Sequence, residues 1–189
     1  AGTMLTFWNT CNFGTIDGFV FTPTGTLASS IGLLFNGSAG NLEVRRCIIQ
    51  LWSKCGFQHL GTVGTQMSGH KLYDSYLLQN GNDASKVPSG FGQLDLTYTN
   101  DFFITNNQFG IINTGTYGFP AFGIQATNTS NGTYASNFVW QNNIGGNFAS
   151  CKYDRILAGN RFENSQKEGV IFNNCINVIF EGNWLNNNG

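Results

Sequence analysis

The strongest constraint on this chain is a repeat in its last third. Gly146–Phe162 (GNFASCKYDRILAGNRF) lies over Gly169–Leu185 (GVIFNNCINVIFEGNWL) without a gap, at an offset of 23 residues. A fixed period of that size belongs to chains that stack one small unit, because a single unit cannot bury its own apolar face. The same frame runs upstream through NLEVRRCII (Asn41–Ile49), GHKLYDSYL (Gly69–Leu77), DFFITNNQF (Asp101–Phe109) and NFVWQNNI (Asn137–Ile144). It sets Ile16, Val44, Leu72, Ile104, Trp140, Leu157 and Phe180 in one apolar column, with spacings of 28, 28, 32, 36, 17 and 23. Variable spacing around a constant strand frame assigns the insertions to turns on one face. The spacing of 17 is short for a full coil, so the register near Trp140 is open to a slip of a few residues.

Two polar columns accompany the apolar one. Cys47, Ser75, Asn107, Asn143, Asn160 and Asn183 stand three residues beyond it, and Asn41, Asp101, Asn137, Asp154 and Asn177 precede the strand. Asn tolerates a left-handed backbone and hydrogen-bonds locally at a bend. Both columns are therefore expected to hold turns, with equivalent side chains roughly 4.8 Å apart from coil to coil.

Composition narrows the function classes. Only 10% of the 189 residues are charged and the net charge is −1, which leaves no electrostatic case for nucleic acid or an anionic membrane. Gly and Asn number 25 each and Phe 17, a turn-rich and aromatic chain without a long helical stripe. No segment approaches the ~18 apolar residues of a membrane-spanning helix, and AGTMLTFWNTCNFG has no signal-peptide pattern. The chain reads as a single domain over residues 1–189, cut from a longer array. Cys11, Cys47, Cys55, Cys151 and Cys175 lack CxxC spacing and read as free thiols of a protein folded in a reducing compartment, although a Cys151–Cys175 bridge is sterically conceivable. With His59 and His70 as the sole imidazoles, no metal site and no cofactor are expected.

The repeated pattern of Asn, apolar-x-apolar and x-x-Asn-x-apolar, with Gly between units, resembles the right-handed parallel β-helix of the pectate-lyase-like superfamily. That superfamily includes polysaccharide lyases, polygalacturonases and bacteriophage tailspikes. The resemblance implies an all-β solenoid with coils of about 23–36 residues, and it does not select a reaction. The enzyme signatures are not met. TND (Thr99–Asp101), SGH (Ser68–His70) and DRI (Asp154–Ile156) fall short of the polygalacturonase strings. The RxPxxR of pectate lyases and the DPHD of alginate epimerases are absent, and the only prolines are Pro23, Pro88 and Pro120.

Aligning GFQHLGT (Gly56–Thr62) with GFGQLDLT (Gly90–Thr97) brings Gln58, His59, Gln93 and Asp95 to neighbouring coils of one sheet, with Gln125 nearby. Outward Gln, His and Asp rows with loop aromatics suit hydrogen bonding to sugar hydroxyls and stacking on sugar faces. Gln58, Gln93, Gln125, Tyr98, Tyr117 and Tyr134 are the candidate carbohydrate-binding residues. Glycosidases need two carboxyl groups roughly 5–9.5 Å apart, so Asp95 and Asp74 form a candidate catalytic pair, with His59 as an alternative acid–base partner. Asp17, Arg45, Tyr73, Thr105, Gln141 and Glu181 form an outward column that reads as solvated, Trp140 reads as core, and Trp52 reads as an exposed residue on a bend. Phe103, Val139, Ile156 and Ile179 form an apolar column that alternation turns outward, as if covered by a neighbour.

Resemblance to tailspikes implies parallel trimers, so a homotrimer is the expected assembly and a bacterial surface polysaccharide the expected ligand, with its depolymerisation left open. The location expected is a virion tail assembled in the bacterial cytoplasm. A secreted polysaccharide lyase or glycoside hydrolase of the same fold is the first alternative, and a non-catalytic stalk or adhesin the second.

Overall fold

A computed structural model describes residues 3–7, 12–24, 30–37, 40–64, 66–81, 91–112 and 118–189. Every regular element among them is a β-strand, and the strands form a parallel β-helix with three seven-stranded walls. Sheet 1 carries the longest strands: Thr3–Phe7, Ile31–Asn36, Cys55–Leu60, Gly92–Thr97, Phe122–Thr127, Ile144–Ala149 and Val170–Asn173. Sheet 2 contains Asn12–Asp17, Gly40–Arg45, Lys71–Tyr73, Phe103–Thr105, Thr133–Ala135, Arg155–Ile156 and Ile179–Phe180. Sheet 3 contains Val20–Phe21, Ile48–Gln50, Tyr76–Leu78, Gln108–Gly110, Phe138–Trp140, Arg161–Glu163 and Trp184–Asn186. A two-stranded ribbon, Met67–Ser68 with Thr99–Asn100, widens the corner between sheets 1 and 2.

Sheet 2 fixes the repeat. Its inward column is Ile16, Val44, Leu72, Ile104, Tyr134, Ile156 and Phe180, so successive coils measure 28, 28, 32, 30, 22 and 24 residues. The expected register slipped at two coils. Tyr134 replaces Trp140, which lies in sheet 3, and Ile156 replaces Leu157. The 23-residue offset is correct in sheet 3, where Arg161 faces Trp184, but it is 24 in sheets 1 and 2. One residue is lost between Phe180 and Asn183.

The core is a continuous file of apolar side chains, including Phe35, Phe57, Leu72, Phe109, Val139, Phe148 and Phe162. Aromatic residues stack along the axis: Phe35 meets Phe57 edge-on at 4.9 Å, and Tyr134 meets Phe148 at 5.2 Å. Trp52 is buried, not exposed, and its indole N–H donates to the Phe21 carbonyl at 3.2 Å. Val139 and Ile156 are core residues too, so the expected outward apolar column does not exist. The outer row of sheet 2 that contains Phe103 and Ile179 is mixed, with Lys71, Thr133 and Arg155 between and beside them.

Asparagine holds the sheet 2–sheet 3 corner. Asn107 Nδ2 donates to Asn137 Oδ1 at 3.1 Å, Asn137 Nδ2 to Asn160 Oδ1 at 2.9 Å, and Asn160 Nδ2 to Asn183 Oδ1 at 2.8 Å. Asn107, Asn137 and Asn160 also accept from the backbone N–H of the preceding coil's equivalent residue, as at Asn107 N to Asn137 Oδ1, 3.0 Å. Ser75 and Cys47 continue the file upstream, as expected; Asn137 stands where Asn143 was placed. A second file at the sheet 3–sheet 1 corner uses Asn80, Asn142 and Asn188. Cys47, Cys55, Cys151 and Cys175 are free thiols, so no Cys151–Cys175 bridge forms.

Candidate functional site

Six-residue strands give sheet 1 a regular outer row, and it carries the expected polar set in part. Gln58, Asp95 and Gln125 are direct neighbours in register. Gln58 Nε2 donates to Asp95 Oδ2 at 2.7 Å, and both residues are buried. Burial pushes the Asp95 carboxyl up to about 6, against the opposing pull of the Gln58 hydrogen bond and the Lys54 charge. Gln125 has a buried Oε1 that meets no hydrogen-bond donor.

The other expected site residues scatter. His59 points into the core, where Phe35, Phe57 and His70 surround its ring at 4.9, 4.7 and 4.4 Å. Burial, then the neighbouring His70, holds its pKa well below the ordinary histidine range, which suits a neutral packing residue and not an acid–base group. Alternation explains this: His59 follows the outward Gln58 and so faces inward. Gln93 is fully buried as well, with Oε1 accepting from Asn80 Nδ2 at 2.8 Å and Nε2 donating to the Gly110 carbonyl. Tyr134 is core. Asp74 is exposed at the sheet 2–sheet 3 corner, accepting from Asn106 at 2.6 Å, whereas Asp95 lies on sheet 1. The two carboxylates occupy different walls and do not form a pair. Tyr98 is half-buried at the end of a sheet 1 strand, and Tyr117 lies outside the described residues.

A more open arrangement lies on the outer face of sheet 2. A groove of about 420 Å3 is lined by Phe13, Gly14, Thr15, Asn41, Leu42, Glu43, Gly69 and Lys71. That volume falls within the roughly 300–1,000 Å3 of ligand sites. Thr15, Glu43 and Lys71 alternate with the inward column and stand side by side on three consecutive coils. Phe13 adds an aromatic face that is 80% exposed. Gly69 has φ +73°, and a Cβ there would collide with Asn41 Oδ1, so a glycine is needed for Asn41 to lie across the corner.

The solvated column beside this groove is an ordered ionic network. Arg45 Nε donates to Asp17 Oδ2 at 3.0 Å, Arg45 Nη1 to Glu43 Oε1 at 3.2 Å and to Tyr73 Oη at 3.1 Å. The Tyr73 hydroxyl also bonds Glu43, and Arg46 Nε donates to Asp17 at 2.6 Å. The Arg46 guanidinium, with Arg45, holds the Asp17 carboxyl below its usual range, while the Glu43 carboxylate raises Tyr73. Glu43 and Lys71 were missed from the sequence. Their signal was the alternation itself, which exposes the residue just before each column member. Among the described residues no cluster of three or more His, Cys, Asp or Glu is arranged to hold a metal ion.

Comparison with solved structures places this fold beside two tailspikes. The enzymatically active domain of tailspike protein 2 from bacteriophage CBA120 superposes with a TM-score of 0.68 at 14% identity, over 97% of this chain and 33% of that one. The full-length tailspike protein 2 from an Escherichia coli O157:H7 bacteriophage gives 0.66 at 14% identity, over 92% and 28%. The chain thus spans about a third of the tailspike structures it matches. No protein-family model matches the sequence, and comparison with curated proteins gives no match. What is shared is the tailspike β-helix fold.

Proposed function

We propose that the chain is a β-helical section of a phage tailspike, carried on the virion tail, and that the outer face of sheet 2 binds a bacterial surface polysaccharide. The observation that carries this reading is the groove. Sugars present hydroxyl groups to polar side chains and C–H faces to aromatic rings. Thr15, Asn41 and Lys71 supply the first kind of contact and Phe13 the second. The fold supports it, since the same solenoid serves a tailspike domain described as enzymatically active. Homotrimeric assembly belongs to the proposal; the sheet 3 outer row, with Val20, Tyr76 and Trp184 exposed, is the face assigned to it. Chemical cross-linking to a three-chain species tests that assignment.

Binding of purified capsular and O-antigen polysaccharides to the immobilised protein tests the ligand class. Phe13→Ala is expected to weaken the interaction about tenfold, the scale of one lost aromatic stacking contact of ~1–1.5 kcal/mol. Absence of binding across a broad panel would overturn the reading. Depolymerisation at the same face is a second reading, favoured by Asp17 and Glu43 sharing the Arg45 guanidinium. Two carboxyl groups on adjacent coils are the kind of pair that glycosidases set roughly 5–9.5 Å apart. Sizing the polysaccharide after incubation with wild type and Glu43→Gln tests it: shortening by wild type alone is expected, and an unsaturated-uronate absorbance would mark a lyase instead.

A further inference from the structure

We infer that the sheet 2 groove selects acidic saccharides, with Lys71 as the group that meets the sugar's anion. This rests on the polysaccharide reading above and adds the chemical class of the ligand. The case begins with charge matching in and beside the groove. Asp17 is neutralised by Arg45 and Arg46, and Glu43 by Arg45, with the Tyr73 hydroxyl as a further donor. Two carboxylates and two guanidiniums are thereby consumed. Lys71 is the surplus cation.

Its isolation is a matter of geometry. Lys71 is the in-register neighbour of Glu43 on the adjacent strand, the position from which a cross-strand ion pair would form. Among the described residues no ion pair includes Lys71, because Glu43 is taken by the Arg45 fork and the phenol. Arg presents planar, directional donors and holds a carboxylate in fixed geometry, whereas a lysine ammonium is a compact charge on a flexible stem. An exposed, unpaired ammonium lining a groove gives that groove a positive potential and attracts anionic ligands. Phe13, Thr15 and Asn41 recognise any sugar, and Lys71 adds the preference for one bearing negative charge.

The test uses uronate-bearing capsular polysaccharides, the same polymers after chemical reduction of their carboxyl groups to alcohols, and neutral dextran. A sulfated dextran forms a separate arm that distinguishes a carboxylate from a sulfate as the anion. Binding is expected to at least one anionic polymer. For a uronate polymer it should fall tenfold or more on carboxyl reduction, and for either anion it should fall similarly on Lys71→Met and weaken with salt. Lys71→Arg should restore most of it. Lys71 is exposed, and an unchanged unfolding midpoint for Lys71→Met shows that the fold is intact. Binding to neutral polymers alone, or binding indifferent to both carboxyl reduction and Lys71→Met, would overturn the acidic preference and leave the polysaccharide reading standing. No binding to any polymer would end both.

Discussion

Asp95 sits on a buried outer row between Gln58, which donates to it, and Gln125, whose Oε1 lacks a donor. That setting favours the protonated acid. Its pKa in the fold, about 6, lies above the unfolded value of 3.8, so the charge opposes folding above pH 6 and the penalty fades as pH falls from 6 to 3.8. The rise corresponds to about 3 kcal/mol. Asp95→Asn keeps an oxygen for Gln58 and offers an N–H toward Gln125. It should stabilise the protein by about 1–3 kcal/mol at pH 7.5 and change little at pH 4, measured by urea unfolding; destabilisation at pH 7.5 would contradict this. His59 has the opposite sign. Its pKa is depressed in the fold, so its contribution is undiminished above the unfolded value of 6.5 and stability is lost as pH falls below that value toward the folded pKa. His59→Leu should remove that acid-side loss, seen as a smaller difference between unfolding midpoints at pH 7.5 and pH 5.

At the scale of the coil, the asparagine files tie neighbouring turns together. Asn137 accepts from the Asn107 backbone N–H and donates to the Ile104 carbonyl at 2.7 Å, both in the dry interior. Asn137→Ala strands these groups, at about 1–3 kcal/mol each, and is expected to lower stability by about 2–4 kcal/mol. Asn106→Gly, which accepts the left-handed backbone at φ +54° and removes the exposed bond to Asp74, should cost under about 0.5 kcal/mol. Equal losses would remove the ladder from the account. The strands that sequence located correctly are those where the turn residue and the inward apolar residue keep constant spacing, as at Val44–Cys47, Leu72–Ser75 and Ile104–Asn107. The frame failed where similar strings occur twice in one coil. TYASN and FVWQN both end an apolar strand in Asn, and choosing the second moved Trp140 from the outer face into the core. Inward and outward neighbours differ by one residue, so the pattern that turns Gln58 outward turns His59 into the core. The groove is not legible in any local string, because Phe13, Glu43 and Lys71 come from three coils.

The whole molecule is a three-walled prism whose walls differ in chemistry. Sheet 1 buries a polar row, sheet 2 presents charged and polar groups around a groove, and sheet 3 exposes aromatic residues. Polysaccharide recognition is proposed for the outer face of sheet 2. Hydrogen–deuterium exchange with and without a bound surface polysaccharide tests it most directly. Protection is expected within residues 12–17, 40–45 and 71–73, around Thr15, Glu43 and Lys71. Protection confined to the Gln58–Asp95–Gln125 row or to sheet 3, with sheet 2 unchanged, would contradict it.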